Sequence, residues 1–451
     1  MIPFAVLLLL IASPSLGAMT YGEQVVERTL DNGFEMILLE DHKAPVAVIQ
    51  VWYRVGARNE LPGTTGLSHM LEHMMFKGTT KNGPGEYSRI ISRNGGDENA
   101  FTSDDGTTYY AKIASDRIDV ELELEADRMR NLILNEELFE PERKVVMEER
   151  RMRVDDQPIS YLFETLSALT FLEHPYRQPV IGWGSDIEGW RLADLQRQYD
   201  QYYQPNNAFL VAVGDFDAKE LGDRAAALFG PIPRGADAPE VRAHEQQPRG
   251  AARVTVRRPA KLPFIAVNYR VPNLNHPDSS ALEVLEVVLS AGKSSRLYRD
   301  LVEEGRLALD AGASYSRTAI DDKTFTLTAQ AQPEITPERL EAALLSQVDT
   351  VQKAPPTAEE LARAKAQIES SFIFSQDSMF YRALILGTYE LSGNWRKADD
   401  YLPGIRKVSA EDVQRVAQTW LTEKNRTTGT LLPAAPSAPP QAAESAEAEA
   451  K

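Results

Sequence analysis

The sequence predicts an α+β fold of two homologous domains, each an antiparallel sheet packed with helices. One reason is length, because 451 residues exceed a single ordinary core and suit two domains of roughly 200 residues. The other is a repeated order of elements. Residues 34 to 56 hold two β-rich runs around a turn, and residues 252 to 272 do the same. Both stretches end in a Tyr-Arg-Val triplet.

The elements that follow these β-rich pairs also repeat. Each pair precedes an apolar-periodic helix and then two strands around an aspartate turn, "AFTSDDGTTYYAKIA" in the first half and "YSRTAIDDKTFTLTAQA" in the second. Longer helical stretches are predicted at about 117 to 153 and 337 to 373. The polar, Pro- and Gly-bearing segment 243 to 252 predicts the boundary. We therefore expect an N-terminal domain at 19–245 and a C-terminal domain at 246–432.

The two ends of the chain differ from the rest in composition. Residues 1–18 form an apolar run that ends in small residues, which is typical of a secretory signal peptide and predicts a periplasmic or secreted protein. Because no Lys or Arg precedes this run, two alternatives stay open: a true start that lies upstream, or an uncleaved anchor. We expect no membrane span after signal removal. Residues 433–451 are rich in Pro, Ala and Glu and predict a disordered tail.

Charge and cysteine content exclude several functions. A formal net charge of -17 argues against a nucleic-acid partner, because phosphate binding depends on Lys and Arg. The chain has no cysteine, which excludes disulfides and thiolate metal sites. Any transition metal must therefore be held by His and carboxylate side chains.

The segment "GLSHMLEHMMFKG", residues 66 to 78, is a candidate metal site in a chain with six histidines. On a helix, one apolar stripe should pack inward: Leu67, Met70, Leu71, Met74 and Met75. His69, Glu72 and His73 fall on the opposite face. Histidines four positions apart can bind one ion, although such pairs also occur on solvated helix faces. Phe76 on the same face favours the wall of a cleft.

The duplication provides an internal comparison for this helix. The second half has "ALEVLEVVLSA" in the corresponding place, which sets approximately Val284 and Val288 against the two histidines. Since the second copy can form the helix with valine, the histidines are not needed to build it.

A catalytic zinc usually has three protein ligands, so a third must come from elsewhere. The candidate segment is a predicted helix at 139 to 156 with Pro141 in its first turn. Glu149 has more apolar i±3 and i±4 neighbours than Glu148, and a buried carboxylate favours a cation. Glu142 lies two turns earlier on the same face. It is either a group that orients a ligand or water, or an ordinary first-turn glutamate favoured by the helix dipole.

At these residues the chain resembles the pitrilysin-like (inverzincin) zinc metallopeptidases of the insulinase and mitochondrial processing peptidase type, in particular their bacterial zinc-bearing subunits. "HMLEH" is their inverted zinc motif, and Glu149 follows His73 by 76 positions. The resemblance extends from about residue 24 to 430 and includes "HPYRQPVIG" and "YYQPNNAFLVAVGDFD". It implies that His69, His73 and Glu149 hold Zn²⁺ and that the two domains form half of a clamshell.

The resemblance also implies catalytic and substrate-binding residues. Glu72 would be the general base. Glu142, from its place on the helix and not from the resemblance, is counted with it as a candidate catalytic residue that orients a ligand or the metal-bound water. The stretch "ENAFTS" would be an edge strand to which a peptide substrate adds as a further strand. Its binding residues would be Asn99, Ala100, Phe101 and Thr102. A plain hairpin closed by an Asp-Gly turn is the alternative, and both can be true.

The sequence departs from the family in its C-terminal half. Self-sufficient members have an Arg and, seven residues later, a Tyr that hold substrate, but Val302 and Leu309 occupy these positions here. Arg299 and Arg306 lie nearby without a Tyr at that spacing. An oxyanion donor contributes roughly 3 to 4 kcal/mol. We therefore expect a homologous partner subunit that supplies the Arg/Tyr pair.

The resulting prediction is a zinc-dependent endopeptidase that hydrolyses peptides or unfolded polypeptides as extended strands in a closed chamber, as the catalytic subunit of a two-chain enzyme. The alternative is a non-catalytic scaffold or assembly relative of the same fold. A structural zinc would need a fourth ligand. The remaining histidines, His42, His174, His244 and His276, are expected to be ordinary surface residues.

Overall fold

The computed structural model describes residues 20–247 and 250–434. The predicted signal peptide at 1–18 and the tail from residue 435 onward lie outside the described residues. Within the described part of the chain, no helix has the length and apolar character needed to cross a membrane.

Eleven strands are found in the described residues. They are β1 (Val25–Thr29), β2 (Glu35–Glu40), β3 (Val46–Tyr53), β4 (Asp97–Thr102), β5 (Thr107–Ala114), β6 (Ala208–Gly214), β7 (Ala252–Pro259), β8 (Phe264–Val271), β9 (Ala308–Tyr315), β10 (Lys323–Ala331) and β11 (Arg426–Ala434).

The strands form two sheets with the same internal order. The first sheet runs β1-β2-β6-β3-β5-β4 and the second runs β7-β11-β8-β10-β9. Apart from β1, each strand of the first sheet has a counterpart in the second, in the same position. The predicted duplicated α+β unit is therefore confirmed.

The expectation of an antiparallel sheet in each domain was wrong for one pair of strands in each sheet, and the two β-rich runs around each turn do not pair with each other. Strands β2 and β6 pair in parallel, and so do β7 and β11. In the first domain the last strand, β6, inserts between β2 and β3, and in the second domain β11 inserts between β7 and β8. Strands β2 and β3 therefore both pair with β6 and not with each other. A short turn between two β-rich runs favours a hairpin, but the returning strand takes the position between them.

The described helices are α1 (Leu67–Met74), α2 (Glu86–Arg93), α3 (Ile118–Asn131), α4 (Glu136–Arg150), α5 (Pro158–Thr170), α6 (Gly184–Gly189), α7 (Leu192–Tyr202), α8 (Ala218–Phe229), α9 (Ser279–Ser290), α10 (Pro337–Lys353), α11 (Ala358–Ser375), α12 (Met379–Leu391), α13 (Tyr401–Lys407) and α14 (Ala410–Trp420). Two π-helical turns, Arg151–Asp155 and Tyr298–Glu304, add to them.

The two long helical stretches predicted from sequence are each divided. The first becomes α3 and α4, and the second becomes α10 and α11. Helix α4 also begins earlier than predicted, because the Asn135 side chain accepts a hydrogen bond from the Leu138 amide (2.9 Å) and caps it. Pro141 therefore lies inside the helix and not in its first turn.

The two halves of the chain exchange helices. Helix α5, from the first half, packs on the second sheet, where Leu162 and Leu166 contact Val256. Helix α12, from the second half, packs on the first sheet. A Cβ at Gly387 would come within 2.3 Å of the Trp52 ring, so the helix approaches the sheet closely. Packing therefore crosses the boundary predicted near residue 245.

Two smaller expectations also need correction. Strand β11 continues through Pro433 and Ala434, which pair with Arg258 and Pro259, so the ordered domain extends past residue 432. His174 is not a surface residue: it is 3% exposed and its Nε2 lies 3.1 Å from Asp321 Oδ2.

Candidate active site

Two features hold helix α1 in place: its apolar stripe packs into the core, and a buried carboxylate binds the amides at its start. The predicted stripe is buried at all five positions. Gly66 precedes the helix in the left-handed region (φ 88°), where glycine is favoured. The Glu60 carboxylate accepts hydrogen bonds from the amides of Gly66 and Ser68, both at 2.6 Å. These bonds satisfy amides that the helix itself leaves free.

The structure brings His69, His73 and Glu149 together. Glu149 Oε2 lies 3.7 Å from His69 Nε2 and 3.4 Å from His73 Nε2. One donor atom from each residue falls within 4.8 Å of the others. Zinc bonds of about 2.0–2.1 Å at tetrahedral angles place two ligand atoms roughly 3.3 Å apart. Two imidazoles and a carboxylate at these distances fit a zinc ion with a coordination position left for another ligand.

The choice of Glu149 over its neighbour agrees with the packing of α4. The Glu149 side chain is 13% exposed, whereas that of Glu148 is 53% exposed and pairs with Arg151. Glu149 Oε1 lies 2.8 Å from Arg153 Nη1 in an ion pair, and Oε2 is the oxygen nearest the histidines. Arg153 therefore fixes the orientation of this carboxylate.

Glu142 lies behind His73, on the side away from Glu149. Its Oε1 is 2.8 Å from His73 Nδ1, and its Oε2 is 2.6 Å from Lys77 Nζ. Because α4 begins at Glu136, Glu142 is not in the first turn, and the helix-dipole interpretation does not apply. A carboxylate on Nδ1 orients an imidazole so that Nε2 faces a metal.

Glu72 lies beside the three donors and is not one of them. Thr102 Oγ1 of β4 donates a hydrogen bond to Glu72 Oε2. Burial raises the pKa of Glu72 above its ordinary value, and the Thr102 hydrogen bond opposes that rise. Glu72 is thus a partly buried carboxylate held next to the edge strand.

The two histidines differ in their surroundings. Burial, followed by the neighbouring His73, lowers the pKa of His69 to about 4, which keeps this ring neutral. Burial alone would also lower the pKa of His73, but hydrogen bonds with Glu142 and Glu149 outweigh it and raise the pKa to about 9. Metal binding to such a ring must displace a proton.

Strand β4 is the free edge of the first sheet, since it pairs only with β5. It borders a cleft of about 1040 Å³ that also contains the histidines, Glu72 and Glu149. All four predicted substrate-binding residues line this cleft: Asn99, Ala100, Phe101 and Thr102. Thr102 differs from the others because its hydroxyl is already bonded to Glu72.

Every residue that lines the cleft in the described part of the chain comes from positions 69 to 181. Val302 and Leu309, which stand where the Arg/Tyr pair was expected, do not reach it, and neither do Arg299 and Arg306. The C-terminal domain therefore contributes no wall to the cleft.

Sequence reasoning placed one residue wrongly and missed two others. Phe76 does not line the cleft; it packs against Tyr87 in the core. Lys77 and Arg153, which hold Glu142 and Glu149, were not predicted. Lys77 lies four positions after His73, and Arg153 lies four positions after Glu149. A search for i,i+4 pairs around the candidate ligands could have found both.

Comparisons with known proteins identify the family of this chain. Residues 35–183 match the family model described as insulinase (peptidase family M16), and residues 190–368 match the peptidase M16 inactive domain. The zinc protease PqqE of Helicobacter pylori is 32% identical over 430 residues, which cover 94% of this chain and 97% of that protein. The chain belongs to peptidase family M16.

Other relatives and solved structures extend the comparison. An uncharacterized zinc protease of Bacillus subtilis, YmxG, is 27% identical and covers 88% of this chain and 95% of its own length. The crystal structure of a protease from Helicobacter pylori is similar with a TM-score of 0.88 at 33% identity, covering 91% of this chain and 99% of that one.

One structural neighbour is longer than this chain. The periplasmic protease PqqL from Escherichia coli has a TM-score of 0.76 at 17% identity, and the match covers 91% of this chain but 48% of that protein. At this identity the likeness concerns the fold alone. The present chain corresponds in fold to about half of that protein.

Proposed function

We propose that this chain is the zinc-bearing subunit of a metalloendopeptidase that cleaves extended peptides or unfolded polypeptides. The observation that carries the proposal is the convergence of His69, His73 and Glu149 within 4.8 Å, at the side of a cleft bordered by a free strand edge. Membership of a family whose relatives are named zinc proteases supports it. A scaffold would have no need for this donor set.

Zinc held by His69, His73 and Glu149 would make a water molecule acidic and polarise the substrate carbonyl. In the proposed reaction Glu72 takes a proton from the attacking water, whose oxygen bonds to the carbonyl carbon. As the carbon–nitrogen bond breaks, Glu72 gives the proton to the leaving amine. Glu142 keeps the His73 ring oriented through Nδ1.

Substrate would bind along β4 as an additional strand. The unpaired edge offers backbone amides and carbonyls, which recognise any extended peptide with little dependence on its side chains. Because Thr102 Oγ1 bonds to Glu72, the end of this strand and the proposed base are fixed relative to each other. A peptide aligned on β4 would therefore pass next to Glu72.

We further propose a homologous partner subunit. Among the residues that the structure describes, none from the C-terminal domain lines the cleft, and Val302 and Leu309 stand where the Arg/Tyr pair was expected. A partner with the same fold could supply that pair across a closed chamber. The fold match to about half of a longer periplasmic protease is consistent with a two-part arrangement. We also propose a periplasmic or secreted location, which cell fractionation would test.

The test is to purify the chain with zinc, measure metal content, and assay cleavage of a mixed peptide pool by mass spectrometry. We expect about one zinc per chain and weak cleavage that increases when the partner is added. His69→Ala should lose zinc, whereas His42→Ala, an exposed histidine outside the cleft, should keep it. If the chain alone showed full turnover, and if its specific activity did not fall on dilution, the proposal of a partner subunit would be rejected. Zinc binding without cleavage by the complex would favour the scaffold.

A further inference from the structure

The two aspartate turns of the duplicated unit contact each other. We name residues 103–106, between β4 and β5, the N-terminal turn, and residues 319–322, before β10, the C-terminal turn. Asp105 Oδ2 of the first accepts a hydrogen bond from the Ile320 amide of the second at 3.1 Å. Lys323 Nζ lies 2.5 Å from Asp104 Oδ2. The two domains are therefore joined at the end of the strand that borders the cleft.

Arg58 lies at the centre of this junction. Its Nη2 pairs with Asp321 of the C-terminal turn, and its Nε lies 3.5 Å from Asp105 Oδ1 of the N-terminal turn. The Arg58 and Asp105 side chains are 11% and 10% exposed, so this ion pair is shielded from water, whereas Asp321 is 34% exposed. His174 Nε2 also contacts Asp321, at 3.1 Å, so this buried histidine has a polar partner.

The segment that carries Arg58 leads directly to helix α1. The Arg58 amide donates to the Asp104 carbonyl at 2.9 Å, and a Cβ on Gly56 would come within 2.4 Å of the Ser103 carbonyl oxygen. Two residues after Arg58, the Glu60 carboxylate holds the first turn of α1. A shift of Arg58 would therefore move the cap of the helix that carries His69, Glu72 and His73.

A second connection runs along β4. The N-terminal turn ends this strand, and Thr102, its last residue, donates to Glu72. The turn is held by Tyr176, whose hydroxyl donates to Asp105 Oδ1 at 2.7 Å and accepts from the Asp321 amide at 3.1 Å. The C-terminal turn is thus linked to the metal centre both through α1 and through the proposed substrate strand.

From these contacts we propose that the C-terminal domain positions the metal centre, with Asp321 and Arg58 as the positioning residues. Although this domain lines no part of the cleft, it fixes the cap of the ligand helix and the end of β4. The inference rests on the proposed function for its effect on turnover. Its effect on zinc affinity can be measured without any peptide cleavage.

A second interdomain ion pair provides a matched control. Arg382 of α12 pairs with Asp41, and their side chains are 8% and 7% exposed, so this pair is buried at least as deeply. The Asp41 amide bonds to Gly214 at the opposite end of the sheet, and β3 spans eight residues between the two ends. At about 3.3 Å per residue the two ends of this strand are separated by roughly 25 Å, and one ion pair lies near each end.

The experiment compares Arg58→Met with Arg382→Met in the full chain. Zinc affinity is measured by chelator competition, melting temperature by calorimetry, and kcat and KM with the partner present. We expect both variants to lower the melting temperature. Only Arg58→Met should weaken zinc binding, by about tenfold, which is the lower end of the loss seen when groups that orient metal ligands are removed. It should also lower kcat about tenfold with KM changed less than about twofold.

A double-mutant cycle tests the pairing itself. Asp321→Asn should weaken zinc binding as Arg58→Met does, and the double variant should be no worse than Arg58→Met alone, because both single variants lose the same Arg58–Asp321 ion pair. Wild-type zinc affinity in Arg58→Met, or an equal loss in Arg382→Met, would overturn the inference and leave the proposed function intact. A wild-type chain that binds no zinc would overturn both.

Discussion

Glu72→Gln separates metal binding from catalysis at this site. The substitution replaces one carboxylate oxygen by an amide group and keeps the length of the side chain. The amide oxygen can still accept the hydrogen bond from Thr102 Oγ1, so helix α1 and strand β4 should stay in place. The three zinc donors come from other residues, and zinc content should remain near one per chain.

The magnitude of the catalytic loss follows from the role of a general base. Such a group contributes about 10² to 10⁴-fold to the rate. At 1.36 kcal/mol per factor of ten, this corresponds to about 3–5 kcal/mol of activation free energy. Burial raises the pKa of Glu72, which makes its carboxylate a better proton acceptor than an exposed glutamate. We therefore expect kcat to decrease by about 10³ to 10⁴-fold, which is the upper part of the range for a general base.

The assay measures zinc content by elemental analysis and peptide hydrolysis by product mass spectrometry, with the partner at saturating concentration. Glu148→Gln is the matched control, because it makes the same chemical change in the same cleft on an exposed side chain that pairs with Arg151. It should retain activity within about twofold, as expected for an exposed ion pair. Loss of zinc in Glu72→Gln, or retention of more than a tenth of the wild-type rate, would refute the assignment of Glu72 as the base.

Three further predictions concern the support of the site and the stability of the fold. Glu142→Gln should raise the zinc dissociation constant about 10- to 100-fold in chelator competition, because the group that orients His73 loses its charge; an unchanged constant would contradict this role. Leu386→Ala should lower the free energy of unfolding by about 2–5 kcal/mol, because this buried side chain packs between α12 and the first sheet. Since α12 comes from the second half of the chain, the two halves should unfold together, and calorimetry should show one shifted transition. The hydrogen bond from Arg296 lowers the pKa of Glu360 from 4.5 to about 2. Its stabilising effect is therefore complete above pH 4.5 and lost as the pH falls toward 2, so wild type should lose more free energy of unfolding than Glu360→Gln across that window in denaturant titrations.

The local parts of the site could be predicted from sequence. The burial stripe of α1 follows the 3.6-residue period, which places His69, Glu72 and His73 on the other face. The same reasoning separated Glu149 from Glu148 by the apolar residues one turn away. Both inferences depend on side chains within a few positions of each other, and backbone geometry fixes these relations.

The surroundings of Glu142 could not be predicted in this way. Two interpretations fitted its position in the sequence, a group near the site or an ordinary glutamate of a first turn. The choice depended on where α4 begins and on how α4 packs against α1. Asn135 decided the first point and the contact with His73 decided the second. A capping hydrogen bond is local, but a contact across 69 positions depends on the packing of two helices.

The sequence alone predicted a duplicated chain, the general order of strands and helices in each unit, and a helix face that carries two imidazoles and a carboxylate. Three features became evident only in the folded chain. Strands β6 and β11 insert between earlier strands, and helices α5 and α12 each pack on the sheet of the other half. The two aspartate turns also meet at Arg58. The physical reason is that periodicity and capping act over a few residues. Pairing between distant segments instead depends on which surfaces become buried together when the whole chain packs.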